Sequence, residues 1–251
     1  MARVTVGVSL KMYFGHRAAR EWAAEVADLA ATNPAVADGT VELFVVPGYL
    51  QLLPTLEAVG GTRVLVGAQD ASEHDAGAFT GEVSPAELAE IGVRLVEIGH
   101  AERRRLYGET DAVVARKTAA ALRNGLVPLI CVGEPEQLAD EDAVAYVTAQ
   151  LLSALAAAPA GRVIVAYEPV WAIGAPAPAP ARHIRRITSW LRELLAELPG
   201  RGGSTVIYGG SAGPGLLTEL GDDVDGVFLG RFAHDPAALA DVLAEAAGVR
   251  A

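Results

Sequence analysis

Three side chains of complementary acid–base character sit where short apolar runs of this 251-residue chain end: the ammonium of Lys11, the imidazole of His100 and the carboxylate of Glu168. An ammonium, an imidazole and a carboxylate on one rim form a set for moving protons at a polarised carbonyl compound. Ser9 precedes Lys11, Glu102 follows His100, and Gln69 and Asp70 end another run. Gly209, Gly210 and Ser211 end a further run, and Gly230 and Arg231 the last. Glycines there let backbone N–H groups approach an anion, above all where "SAGPGLL" opens a helix. The set points to a small phosphorylated carbonyl compound that loses an α-proton. Taken singly, each residue has a plainer reading: a solvated lysine, a structural histidine, or, for Glu102 with Arg103 and Arg104, a surface ion-pair cluster of little energetic weight. It is their shared position that favours chemistry.

The elements that must position them alternate. Apolar, β-branched runs occur at "RVTVGVSL", "VELFVV", "RVLVGA", "VRLVEIG", "LVPLICVG", "RVIVAYE", "STVIYGG" and "VDGVFLG". Amphipathic helical stretches separate most of them. Eight such pairs in one chain of this length predict a (β/α)8 barrel, a single domain over residues 1–251, with its chemistry at the C-terminal strand ends. A doubly wound open sheet has the same periodicity, but no Gly-x-Gly-x-x-Gly follows the first run. After Glu168, Pro169 stops the strand, and Pro176, Pro178 and Pro180 allow an extended path but no helix. Composition alone makes that stretch either a linker or a lid.

The net charge of −11, with no basic block, leaves nucleic-acid binding without an electrostatic footprint. An anionic substrate would therefore need a locally positive site. The single cysteine, Cys131, lies in an apolar run and reads as a core thiol in a reducing compartment. No apolar run reaches membrane-spanning length and "MARVTVGVSL" lacks a signal-peptide pattern, so a cytoplasmic protein without membrane contact is expected.

"SLKMY", "GAQD", "GAFTGEVSP", "EIGHAERRRLYGET", "LVPLICVGE", "AYEPVWAIG", "YGGSAGP" and "DGVFLGR" run in the order of triosephosphate isomerase motifs, from the first strand to the eighth. The chain resembles that family throughout. The resemblance implies a homodimer that needs no cofactor or metal and interconverts an aldose and a ketose phosphate through an enediol(ate). It implies that Glu168 is the general base and His100 a neutral imidazole that polarises the carbonyl and shuttles protons between the oxygens. Lys11 would hold the anionic substrate, with Glu102 the carboxylate beside it. Gly174, Ser211 and Gly230 would bind phosphate, the prolines after "YEPVWAIG" would form the lid, and Thr80, in the loop Asp70–Glu82, would reach the partner subunit.

Five departures from the family bear on substrate. Ser9 stands where the family has asparagine, Leu10 and Tyr13 replace tryptophan and asparagine, and Ala101 replaces a serine. The lid tip is Ala175–Pro178, and Arg231 stands where a second phosphate-site glycine is expected. Family members that act on four-carbon erythrulose phosphate also carry Gly-Arg at the eighth strand end, although they usually keep the tryptophan. With Glu168, His100 and Lys11 intact, interconversion of dihydroxyacetone phosphate and glyceraldehyde 3-phosphate stands first. Isomerisation of a four-carbon ketose phosphate such as L-erythrulose 1-phosphate, dependent on Ser9 and Arg231, stands second. A non-catalytic binding barrel stands third, and loss of any of the three would have favoured it.

Overall fold

A computed structural model of the chain describes residues 3–249. The eight strands are β1 (Val4–Ser9), β2 (Val41–Val46), β3 (Leu65–Ala68), β4 (Leu95–Ile98), β5 (Val127–Val132), β6 (Ile164–Tyr167), β7 (Thr205–Tyr208) and β8 (Gly226–Leu229). All are parallel, and each pairs with the next in sequence. β8 returns to β1, with Thr5 opposite Gly226 and Val8 opposite Leu229. That closure separates the barrel from the open sheet that periodicity allowed.

The strands are apolar on both faces because both are buried. Val4, Val6 and Val8 of β1 join the layer between sheet and helices. Phe44, Leu95, Leu129, Ile164, Ile207 and Phe228 fill the barrel. Space inside is tight: a Cβ on Gly7 would come within 2.0 Å of the Phe44 ring. Side chains alternate along a strand. Ser9, one residue after outward Val8, therefore faces the interior, as does Glu97, two residues after Leu95.

The outer helices form where the amphipathic stretches predict them. One of the two longest, Ala181–Glu197, buries Ile184, Ile187, Leu191 and Leu195 on one stripe. Two helices depart from the sequence reading. Pro34–Asp38 is capped by the Asn33 carboxamide, which accepts the N–H groups of Ala35 and Val36. Ala101–Tyr107, inside the "GHAERR" motif, uses His100 as its N-cap. Histidine is an uncommon cap, so neither composition nor periodicity marks that start.

Candidate active site

Cap geometry explains how His100 is held. Its Nδ1 accepts the backbone N–H of Glu102 at 3.1 Å. In a neutral imidazole the other nitrogen then carries the proton, so Nε2–H is a donor aimed away from the helix. The Lys11 ammonium lies 3.4 Å from that Nε2. Two donors cannot bond each other, so this is a close charge–dipole approach, and the true partner of Lys11 is the Glu102 carboxylate at 2.7 Å. Burial alone would lower the Lys11 pKa; the bond to Glu102 and the negative charges of Glu102, Glu168 and Glu97 outweigh it and hold it above its ordinary value. On Glu102 burial pushes the opposite way, and Lys11 keeps its carboxyl below the usual range.

Lys11 and Ser211 are the only non-glycine residues with positive φ among those described, at 47° and 61°. Both line one cavity of about 1140 Å³ at the C-terminal mouth of the barrel. Left-handed backbone of this kind persists where the surroundings enforce it. At Lys11 the enforcing group is Gln69, whose amide donates to the Lys11 carbonyl at 2.7 Å and to that of Val46 at 3.2 Å.

Glu168 is 6 % exposed and faces the same cavity. Its Oε2 is buried without a hydrogen-bond partner, 3.7 Å from His100 Nε2. A carboxylate oxygen with a free lone pair beside a donor imidazole can take a proton from a carbon placed over the pair, on the cavity side. Room for it comes from Gly209, where a Cβ would sit 2.5 Å from Oε1. Cys131 packs beneath; burial, and then the charges of Glu168 and Glu97, push its thiol up well beyond its ordinary value, which leaves it unsuited to nucleophilic chemistry.

The residues expected at the phosphate end line the same cavity. Gly174 has φ 72° and follows the short turn Val170–Ala172. The Ser211 hydroxyl donates to the Ala172 carbonyl at 2.8 Å, tying the β7 end to the root of the proline-rich stretch. That root is fixed again by Glu134, fully buried, which accepts from the Trp171 indole at 2.9 Å and the Tyr167 hydroxyl at 3.0 Å. Gly230 begins a single turn, and Arg231 follows it into the cavity wall. The Arg231 guanidinium lies 5.8 Å from the Tyr13 ring centre, and a Cβ on Gly174 would be 3.9 Å from its Nη2. It therefore reaches across the mouth instead of packing outside. Lys11, Arg104, Arg105 and Arg231 line the cavity with Glu102, Glu168 and Glu219, so four cationic side chains meet three carboxylates there in a chain that is acidic as a whole.

One expected donor set is otherwise engaged. The helix that "SAGPGLL" opens is only Leu216–Leu220, and its leading N–H groups, on Gly215 and Thr218, donate to the Glu245 carboxylate at 2.7 and 2.6 Å. Those two N–H groups are therefore not free to meet an anion. Thr80 is exposed and away from the cavity, in a loop whose root is tied down. Asp70 bonds Lys117 at 2.7 Å and Arg103 at 2.8 Å, and the Ser72 N–H donates to the Val83 carbonyl at 2.8 Å. Burial outweighs those cations and pushes the Asp70 carboxyl up to about 6.

Glu97 went unmarked in the sequence reading. Its signal is a carboxylate inside the apolar run "LVEI", at a position that faces the barrel interior.

A closed eight-stranded barrel with an ammonium, an imidazole and an unpaired carboxylate around one mouth defines a carbonyl-shifting isomerase barrel. The chain belongs to the triosephosphate isomerase family, whose model matches residues 4–246. It is 48% identical to the L-erythrulose-1-phosphate isomerase of Pectobacterium atrosepticum over 97% of this chain and 96% of that protein. It is 41% identical to the triosephosphate isomerase of Mycobacteroides abscessus over 83% of this chain and 84% of that protein. The L-erythrulose-1-phosphate isomerase of Rhizobium etli is 40% identical over 96% and 91%.

Proposed function

We propose that the chain isomerises a four-carbon ketose phosphate of the L-erythrulose 1-phosphate type, with Glu168 as the base. Dihydroxyacetone phosphate and L-erythrulose 1-phosphate share the phosphate, C1 and the C2 carbonyl. They differ at C3, where the four-carbon sugar bears a hydroxymethyl group in place of a hydrogen. Glu168 takes the C3 proton, and the C3–H electron pair becomes the enediolate double bond. Charge that develops on the C2 oxygen is met by His100 Nε2–H and by the Lys11 ammonium. His100 Nε2–H gives its proton to the C2 oxygen and takes up the C3 hydroxyl proton, the Glu168 carboxyl returns a proton to C2, and the carbonyl is left at C3. Ser211, Gly174 and Gly230 hold the phosphate, and the lid keeps water from the enediolate.

The observation that carries the choice of substrate is Arg231. It adds a fixed charge and a forked donor to the cavity wall, enough to serve both a phosphate and a further hydroxyl. Ser9, shorter than an amide, leaves room on the facing side. Similarity to two proteins named L-erythrulose-1-phosphate isomerase over nearly the whole chain supports the same choice. The three-carbon reading is favoured by Glu168, His100 and Lys11, which act on parts that both substrates share. Side-by-side kcat/KM values for L-erythrulose 1-phosphate and dihydroxyacetone phosphate decide between them. At least about tenfold preference for the four-carbon sugar is expected. The reverse ratio restores the three-carbon reading, and turnover of neither leaves a binding barrel.

A homodimer is part of this proposal, with Thr80 at the contact. Support comes from exposed apolar residues on the segments that follow four neighbouring strands: Met12 (96 % exposed), Leu50 (83 %), Phe79 (42 %) and Leu106 (62 %). The lone, buried Cys131 agrees with a reducing, cytoplasmic setting. No helix among the described residues is long and apolar enough to cross a membrane.

A further inference from the structure

Glu97 is a buried carboxylate for which the proton transfer above has no use. It lies just under the cavity floor, 4 % exposed, and its Oε2 accepts the Ser9 hydroxyl at 3.1 Å. Its Oε1 is 3.9 Å from His100 Nε2, the same nitrogen that stands 3.7 Å from Glu168. Two carboxylates thus flank one imidazole nitrogen. Every element around Glu97 contributes to its surroundings. Ser9 and Lys11 face it from the end of β1, His100 from β4, Cys131 from β5 and Glu168 from β6. At the β3 end the Gln69 amide is turned to the backbone carbonyls of Lys11 and Val46, and the Asp70 carboxylate is engaged by Lys117 and Arg103.

A serine hydroxyl has one hydrogen to give. While Glu97 is ionised, that hydrogen is drawn to its carboxylate, and Ser9 offers the cavity only lone pairs. Those repel the substrate's C2 oxygen as it gains negative charge. Protonation of Glu97 reverses the pair, because the acid O–H can donate to Ser9 Oγ.

We infer that Glu97 is a positioning residue that works in its protonated form, donating to Ser9 Oγ and so releasing the Ser9 hydroxyl hydrogen to the substrate's reacting oxygen. The inference rests on the reading of this cavity as an isomerase site with Glu168 as base. Charge balance supports it. With Glu97 ionised, Glu97 and Glu168 set two negative charges about the one His100 Nε2, and Lys11 is already bonded to Glu102, before a phosphorylated substrate enters. With Glu97 neutral, the full charge stays on Glu168, where the chemistry needs it. Burial is the largest influence and raises the Glu97 carboxyl; His100, Lys11 and the Ser9 hydroxyl oppose it, Glu168 adds to it, and the balance lies at about 7. An anionic substrate would push it further toward the acid.

The test is the pH profile of kcat/KM between pH 6 and 9 for wild type, Glu97→Gln and Ser9→Ala, with L-erythrulose 1-phosphate and dihydroxyacetone phosphate as substrates. Glutamine mimics the acid, because its N–H donates to Ser9 at any pH. Wild type should lose about tenfold or more as pH rises through the Glu97 transition, as for a lost hydrogen bond to a charged group. Glu97→Gln should stay within about threefold across the same range. Ser9→Ala should cost more at pH 6 than at pH 9, since only at pH 6 does the hydroxyl serve the substrate. A Glu97→Gln profile that keeps the alkaline fall overturns the inference. So does a Glu97→Gln enzyme inactive at every pH, which would mean that the ionised form is needed. If neither sugar turns over, the isomerase reading fails, and carbon-13 NMR of glutamate-labelled wild type and Glu97→Gln still judges the acid. A Glu97 carboxyl already ionised at pH 6 overturns the inference independently of activity.

Discussion

Gly209→Ala tests the placement of the base without touching it. In the present geometry an alanine Cβ would lie 2.5 Å from Glu168 Oε1, 2.8 Å from Cγ and 3.0 Å from Cδ. Ordinary contact between such atoms begins near ~3.5 Å, so the carboxylate must retreat by about 1 Å. Gly209 does not occupy the left-handed region, so the methyl group brings no backbone strain. A displacement of about 1 Å costs about a hundredfold in rate when the displaced group does the chemistry, or about 2.7 kcal/mol in the barrier. Steady-state kinetics on L-erythrulose 1-phosphate and dihydroxyacetone phosphate should show the loss in kcat, with KM changed by less than about threefold, because the displaced carboxylate acts in the chemical step and not in holding phosphate. In a Glu168→Ala background the same change should cost nothing more, since no carboxylate remains to be displaced. A Gly209→Ala enzyme within about threefold of wild type in kcat refutes the reasoning. A loss of equal size in the Glu168→Ala background refutes it as well, by placing the damage elsewhere.

Arg231→Gly should shift the ratio of kcat/KM toward the three-carbon substrate by about ten- to a hundredfold, the weight of a charge-assisted hydrogen bond; an equal change on both substrates removes Arg231 from the specificity account. Lys11→Met should weaken competitive inhibition by inorganic phosphate and lower kcat/KM by at least about tenfold, whereas an unchanged inhibition constant would place the Lys11 charge outside the anion site. Glu97 also sets a pH dependence of stability: its carboxyl binds a proton more tightly in the folded chain (about 7) than at its ordinary 4.5, so stability present below about 4.5 is lost as pH rises to about 7. Glu97→Gln should therefore gain roughly 2–3 kcal/mol relative to wild type between pH 5 and pH 8 in denaturant unfolding, and a constant difference would contradict it. Light scattering should give twice the 26.0 kDa chain mass for wild type and a lower mass for Thr80→Arg; a fully active monomer would rule out docking through that loop.

The barrel was legible because a fully buried strand must be apolar on both faces, and eight runs such as "VELFVV" leave little else for the chain to form. The rim residues were legible for the related reason that Lys11, His100 and Glu168 interrupt or end such runs. Closure itself was not, since the pairing of Thr5 with Gly226 depends on strand tilt and register that no local pattern carries. The His100 cap was hidden because its hydrogen bond uses a ring nitrogen in place of the usual oxygen. The capture of the Gly215 and Thr218 N–H groups by Glu245 joins residues about thirty apart, so "SAGPGLL" read alone looks open to an anion. Glu97 was visible as a letter but not as a site, because alternation places it inward only once Leu95 is known to fill the barrel. The direction of Arg231 likewise needed Tyr13 and Gly174 beside it.

The central claim is that Glu168 carries a proton from C3 to C2 of a bound ketose phosphate. Proton NMR of L-erythrulose 1-phosphate in deuterium oxide, with dihydroxyacetone phosphate in parallel, reads that step directly. The account predicts loss of the C3 proton signal with wild type, appearance of deuterium at C2 of the product, and a rate lower by about a hundred- to ten-thousandfold with Glu168→Gln. Exchange at an undiminished rate in Glu168→Gln, or no exchange from either sugar with wild type, would contradict it.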